Sequence, residues 1–113
     1  MTKYQSKINV ERMEKGLKYR ATTDEPCAKL KESVERAAFK AKRVKASIFL
    51  HEEGTVAERN AKAEDSHEYD EAMEGYFRSL ASHEAMKNKR ATEEIVIEVW
   101  RSLNAGRNRG NIV

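Results

Sequence analysis

Apolar residues recur along this chain at helical spacing, in two long stripes separated by a turn signal. Leu30, Val34, Ala37, Ala41, Val44 and Ile48 advance in steps of four, three, four, three and four, a narrow seam of the heptad kind. Ala37 and Ala41 keep its middle small, so a partner helix can approach closely there. Phe39, Phe49 and Leu50 flank it. The second stripe runs Tyr69, Met73, Tyr76, Leu80, His83, then Ala91, Ile95, Val99 and Leu103, broadened by Phe77, Val96 and Trp100. Gly75 and the stretch 84–90, where Met86 is the one large apolar group, predict loose packing between its two parts. A shorter stripe of Val10, Met13 and Leu17 predicts a short helix from about Asn9 to Arg20, weakened at Gly16.

Local signals place the boundaries. Thr22-Thr23-Asp24-Glu25-Pro26 reads as a helix start, with capping hydroxyls, acids in the first turn and a proline tolerated there. Gly54 suits a left-handed C-terminal cap, and Thr55-Val56-Ala57-Glu58 matches a capping box. A short helix over about 56–64 follows, and Asp65 or Ser66 caps the next one. Asn104-Ala105-Gly106 predicts the end of that last helix. The expected fold is all-α: a long antiparallel helical hairpin, coiled-coil-like, over 23–105. An N-terminal segment with a short helix occupies 1–22, and a flexible basic tail occupies 106–113.

Composition sharpens this picture. Charged residues make up 36 %, mean hydropathy is −0.85, and there are one proline and five glycines. With the apolar residues in register, that describes a thin helical protein, and it favours an elongated hairpin or an oligomer. Charge is segregated. Residues 1–50 hold 13 Lys/Arg against 6 Asp/Glu, and residues 51–98 hold 6 against 13. Folding one arm on the other is expected to bring Lys40, Lys42, Arg43 and Lys45 close to Glu64, Asp65, Glu68, Asp70 and Glu71. Such pairs select register more than they stabilise. The single cysteine, Cys27, excludes an intrachain disulfide and reads as a small filler in a reducing compartment. No apolar run approaches the roughly 20 residues of a membrane span, and Met1–Gln5 lacks the apolar stretch of a signal peptide. The expectation is a soluble protein of the cytoplasm.

Glu52-Glu53-Gly54-Thr55-Val56-Ala57-Glu58-Arg59 follows a long basic-apolar helix and precedes one ending Ile97-Glu98-Val99-Trp100-Arg101-Ser102-Leu103. Over roughly residues 23–110 this resembles small helical proteins of tailed bacteriophages and prophages. Their genes sit in early or recombination modules, beside annealing proteins and exonucleases. The resemblance implies a phage accessory protein in the bacterial host's cytoplasm, used in DNA recombination or replication or against host defences. It transfers no catalytic residue and no cofactor.

The residues themselves speak for binding rather than catalysis. Cys27 has no histidine near it in sequence, and neither phosphate-binding glycine motif occurs, so no enzyme, no cofactor and no small-molecule substrate is expected. Glu64-x-x-His67 has the spacing of bundle metal sites, but those need two such motifs, so no metal is expected. The apolar end of the last helix (Ile95, Val96, Val99, Trp100 and Leu103, with Ile97 off the seam) is the expected homo-oligomer contact. The competing reading folds residues 8–20 over that patch within one chain. Arg101, Arg107 and Arg109, with Lys42, Arg43 and Lys45, form the candidate nucleic-acid surface, single-stranded DNA being the candidate ligand. Among aromatics, Tyr4 and Tyr19 alone stand in basic surroundings outside the expected core. Alternatively, Glu64, Asp65, Glu68, Asp70 and Glu71 form an acidic face that mimics nucleic acid and inhibits a host defence or DNA-processing protein. A third reading is a structural virion or scaffold component.

Overall fold

A computed structural model describes residues 8–112, and the side chains of 8–106. Three helices follow in order: α1, Val10–His51; α2, Val56–Glu64; and α3, His67–Ile112. No strand occurs among the described residues. Long α1 packs against long α3, giving the expected all-α helical hairpin.

The turn chemistry follows the sequence. Gly54 adopts φ 121°, a left-handed conformation that a Cβ would strain. Thr55 caps α2, its hydroxyl accepting from the Glu58 N–H at 3.2 Å. Between Asp65 and Ser66, the serine caps α3: its Oγ accepts from the Tyr69 N–H at 3.2 Å. Two boundaries differ from the sequence reading. There is no separate N-terminal helix, because α1 runs unbroken through Thr22–Pro26. A proline removes one N–H and disfavours a helix interior, yet packing of the whole helix outweighs that local preference. The Thr22 and Thr23 hydroxyls, read as caps, instead donate back to the Lys18 carbonyl at 2.8 Å and the Tyr19 carbonyl at 2.6 Å. At the other end, α3 continues through Asn104-Ala105-Gly106 rather than stopping there.

The chain divides into two compact units. The first joins the N-terminal part of α1, through Cys27, to α3 from Ala85 onward. Its buried positions are Met13, Gly16, Thr23, Glu93 and Ile97. Gly16 faces α3 across this seam: a Cβ built there would lie at ordinary contact distance, 3.5 Å from the Glu93 carbonyl oxygen and from Ile97 Cγ1. Three arginines bridge the seam. Arg12 meets Glu93 at 2.6 Å, which raises the guanidinium pKa through that hydrogen bond, against desolvation, and through attraction to the same carboxylate. Arg90 donates to the Arg20 carbonyl at 2.8 Å and the Thr23 hydroxyl at 2.6 Å, and pairs with Asp24. Arg20 in turn reaches Glu94 at 2.7 Å.

The second unit, 28–84, holds the rest of α1, all of α2 and the start of α3. Its buried residues are Ala41, Ala63 and Ala72, small side chains that permit close helix contact. Val34, Val44, Ile48, Tyr69, Met73, Tyr76 and Leu80 are half-buried around them. The α2 segment is tied back to the end of α1. Arg59 lies over the Phe49 ring at 4.1 Å and donates to the Phe49 carbonyl at 3.0 Å, and Lys62 donates to the Glu53 carbonyl at 3.2 Å. Among the described residues no large side chain is fully buried anywhere in the chain.

Candidate nucleic-acid interface

The same periodicity that turns Ala37, Ala41, Val44 and Ile48 toward α3 turns a different set outward. Arg36, Phe39, Lys40 and Arg43 follow at steps of three, one and three, about two helical turns on one face of α1. Together with Val44 and Ser47 they line an open recess of about 530 Å³. Phe39 is 62 % exposed, and the Arg43 guanidinium sits 5.7 Å from its ring centre. Arg36 makes one exposed pair along its own helix, to Glu32 at 2.7 Å. Lys40, Lys42 and Arg43 form no ion pair among the described residues.

That last fact corrects an expectation. Of the four cations predicted to meet the acidic arm, Lys45 alone does so, reaching Glu64 at 2.9 Å with its ammonium 5.8 Å from the Tyr69 ring centre. The hydrogen bond to Glu64 is the largest influence that raises the Lys45 pKa above the ordinary lysine value. Desolvation opposes it, and attraction to Glu64 and Tyr69 adds to it. The reason is rotational. Lys45 lies near the α3-facing seam, whereas Lys40 and Arg43 project from the outward side of α1; Lys42 is exposed on the flank it shares with Lys45. The fold therefore leaves Lys40, Lys42 and Arg43 without a neutralising carboxylate.

The acidic candidates are equally open. Asp65, Glu68 and Asp70 are exposed with no ion pair among the described residues, and Glu71 pairs with His67 at 3.2 Å. Glu64 closes α2 and His67 opens α3, with each engaged elsewhere. No group of three or more His, Cys, Asp or Glu among the described residues could hold a metal ion.

On α3 the apolar end is only partly as expected. Ile95 is 60 % exposed, and Val96, Val99, Trp100 and Leu103 are half-buried. Ile97, expected off the seam, is its most buried member at 2 % exposure. The seam passes through Glu93 and Ile97 rather than Ala91, Ile95 and Val99. Gly16 and Met13 receive Ile97, and Arg12 compensates the glutamate. Residues 8–20 thus cover the Ile97 side of the patch and leave Ile95 outside. Arg101 is exposed, and the side chains of Arg107 and Arg109 lie outside the described residues, as does Tyr4. Tyr19 carries the Lys89 ammonium at 4.6 Å from its ring centre. Sequence reasoning missed Arg36, Phe39 and Lys40 as one site. The signal was present, because Phe39 falls opposite Ala37, Ala41 and Val44 on a helical wheel, where a core residue does not belong.

No protein-family model, curated protein or solved structure matches this chain. No described helix is long and apolar enough to cross a membrane.

Proposed function

We propose that this chain is a non-enzymatic binding protein that holds nucleic acid along the outward face of α1. In this reading it self-associates through the exposed side of α3 around Ile95, Val96, Val99, Trp100 and Leu103. The observation that carries the reading is the pair of unpaired cations Lys40 and Arg43, exposed on one face of α1 with Arg36, whose one ion pair is to Glu32 on its own helix; Lys42 is a further unpaired cation on the flank of α1. Unpaired cations on one helix face gain most from a phosphate backbone, because binding releases condensed counterions. Arg101 and the tail arginines Arg107 and Arg109 extend the basic inventory. The resemblance to phage recombination-module proteins gives the setting, an accessory to DNA recombination or replication in a bacterial cytoplasm. The thin core supports the self-association, since Ile95 lies exposed beside half-buried neighbours.

Anisotropy of a labelled single-stranded oligonucleotide over a salt series tests the binding. Three to four phosphate contacts predict a log–log slope of about −2 to −3. A slope near zero, or no binding at low salt, sinks the proposal. Sedimentation over a range of concentrations tests the second part, and a monomer throughout would remove it.

One observation favours a second reading. Asp65, Glu68 and Asp70 are as unpaired as the cations, so an acidic face that occupies a DNA-processing protein's nucleic-acid site is the alternative. Capture of a host protein that is lost on Asp65→Asn, Glu68→Gln and Asp70→Asn, and is insensitive to nuclease, would put that reading first.

A further inference from the structure

We infer that the recess on α1 binds single-stranded rather than duplex nucleic acid, with Phe39 as the platform on which a base stacks. This rests on the nucleic-acid reading above and adds the class of ligand. Cations alone attract the phosphates of any strand form. A duplex keeps its base faces stacked inside, whereas an unpaired strand offers them to an aromatic ring. Among the described residues, Phe39 is the aromatic that combines exposure with several cations on its own face. Arg36 lies three residues before it, Lys40 one after and Arg43 four after, and all four line the same recess. At about 1.5 Å rise per residue, the cations from Arg36 to Arg43 span roughly 10 Å, enough to meet more than one phosphate of an extended strand while the ring meets a base between them.

Packing within the chain does not account for the position. Among the described residues Phe39 pairs with no other ring, and the Arg43 guanidinium near it is itself a planar surface on which bases stack. The other exposed phenylalanine makes the contrast. Phe77 sits on α3 with its ring 5.5 Å from that of Tyr76, and Arg78 is the one cation within four residues of it, against four within the same distance of Phe39.

The test uses the full chain and three labelled probes of equal length: single-stranded oligothymidylate, the matching abasic strand, and a duplex. Affinities are read by anisotropy. The wild-type protein is expected to prefer the oligothymidylate to both other probes. Phe39→Ala should weaken oligothymidylate binding on the order of 10-fold, leaving abasic binding and the salt slope unchanged. Phe39→Trp should restore it. Circular dichroism confirms that each variant is folded, which is expected because position 39 is exposed. If Phe39→Ala binds oligothymidylate like wild type while Arg36→Gln, Lys40→Gln and Arg43→Gln together abolish binding, the stacking inference fails and the nucleic-acid reading stands. If the triple variant binds like wild type, both fail. If Phe39→Ala converts an oligomer to a monomer without DNA, the ring is a contact between copies of this chain and the inference is overturned.

Discussion

Replacing Gly16 by alanine should stabilise the protein, although the residue is buried where two helices meet. A glycine in a helix interior costs about 1 kcal/mol relative to alanine, a figure that already contains its extra freedom in the unfolded chain. The new methyl would lie 3.5 Å from the Glu93 carbonyl oxygen, 3.5 Å from Ile97 Cγ1 and 3.7 Å from Glu93 Cβ, ordinary contact distances that require no backbone shift. Burying a methyl adds up to about 0.8 kcal/mol. The total is about 1.5 kcal/mol. Gly75 supplies the internal control, because a Cβ there meets nothing within 4 Å. Gly75→Ala should therefore gain the propensity term alone, about 1 kcal/mol. At roughly 4 °C per kcal/mol for a chain of this size, the expected rises in Tm are about 6 °C and about 4 °C. Gly16→Leu, which pushes further atoms into Ile97 and the Glu93 backbone, should instead cost about 1–3 kcal/mol. Thermal melts followed by circular dichroism, with urea titrations at one protein concentration, measure all three. If Gly75→Ala raises Tm and Gly16→Ala lowers it, the helices meet more closely at Gly16 than described, and the reasoning is refuted.

Pro26→Ala should raise stability by up to about 3 kcal/mol, since α1 runs through this position and regains an N–H; an unchanged or lower urea midpoint would mean that the helix is interrupted there. Arg90→Met should cost about 2–3 kcal/mol, because the side chain is 15 % exposed and serves the Arg20 carbonyl and Thr23 hydroxyl, whereas Asp24→Ala, on an exposed partner, should cost under about 1 kcal/mol. Equal costs in urea unfolding would contradict that division. Lys45 has a pKa raised in the folded state, so its pairing with Glu64 contributes fully below the ordinary lysine value and is lost as pH rises through the folded one. The stability difference between wild type and Lys45→Met should be flat from about pH 6 to 9 and shrink above about pH 10; a difference that disappears by about pH 8 would oppose it.

The hairpin was legible because periodicity and capping chemistry agree around Gly54-Thr55, where Thr55 and Ser66 act as local caps whatever packs outside. Pro26 misled because a local preference of a few kcal/mol is smaller than the packing of a 42-residue helix. The α3 seam misled because an apolar template assumes apolar partners. Arg12 and Glu93, and Arg90 and Thr23, compensate each other across the helices, so polar residues occupy inward positions and Ile95 is left outside. Charge segregation along the sequence was correct as a count but silent about rotation. Lys45 faces Glu64, while Lys40 and Arg43 turn away, and the candidate site follows from that difference.

The central claim is that the outward cations of α1 hold a phosphate backbone. Its most direct measurement is the affinity of the full chain for a single-stranded oligonucleotide at low and moderate salt, for wild type and for Arg36→Gln, Lys40→Gln and Arg43→Gln combined. The account predicts binding that falls with salt in the wild type, and a shallower slope and weaker binding, by at least about 10-fold, in the variant. Indistinguishable affinities and slopes for the two proteins would contradict it.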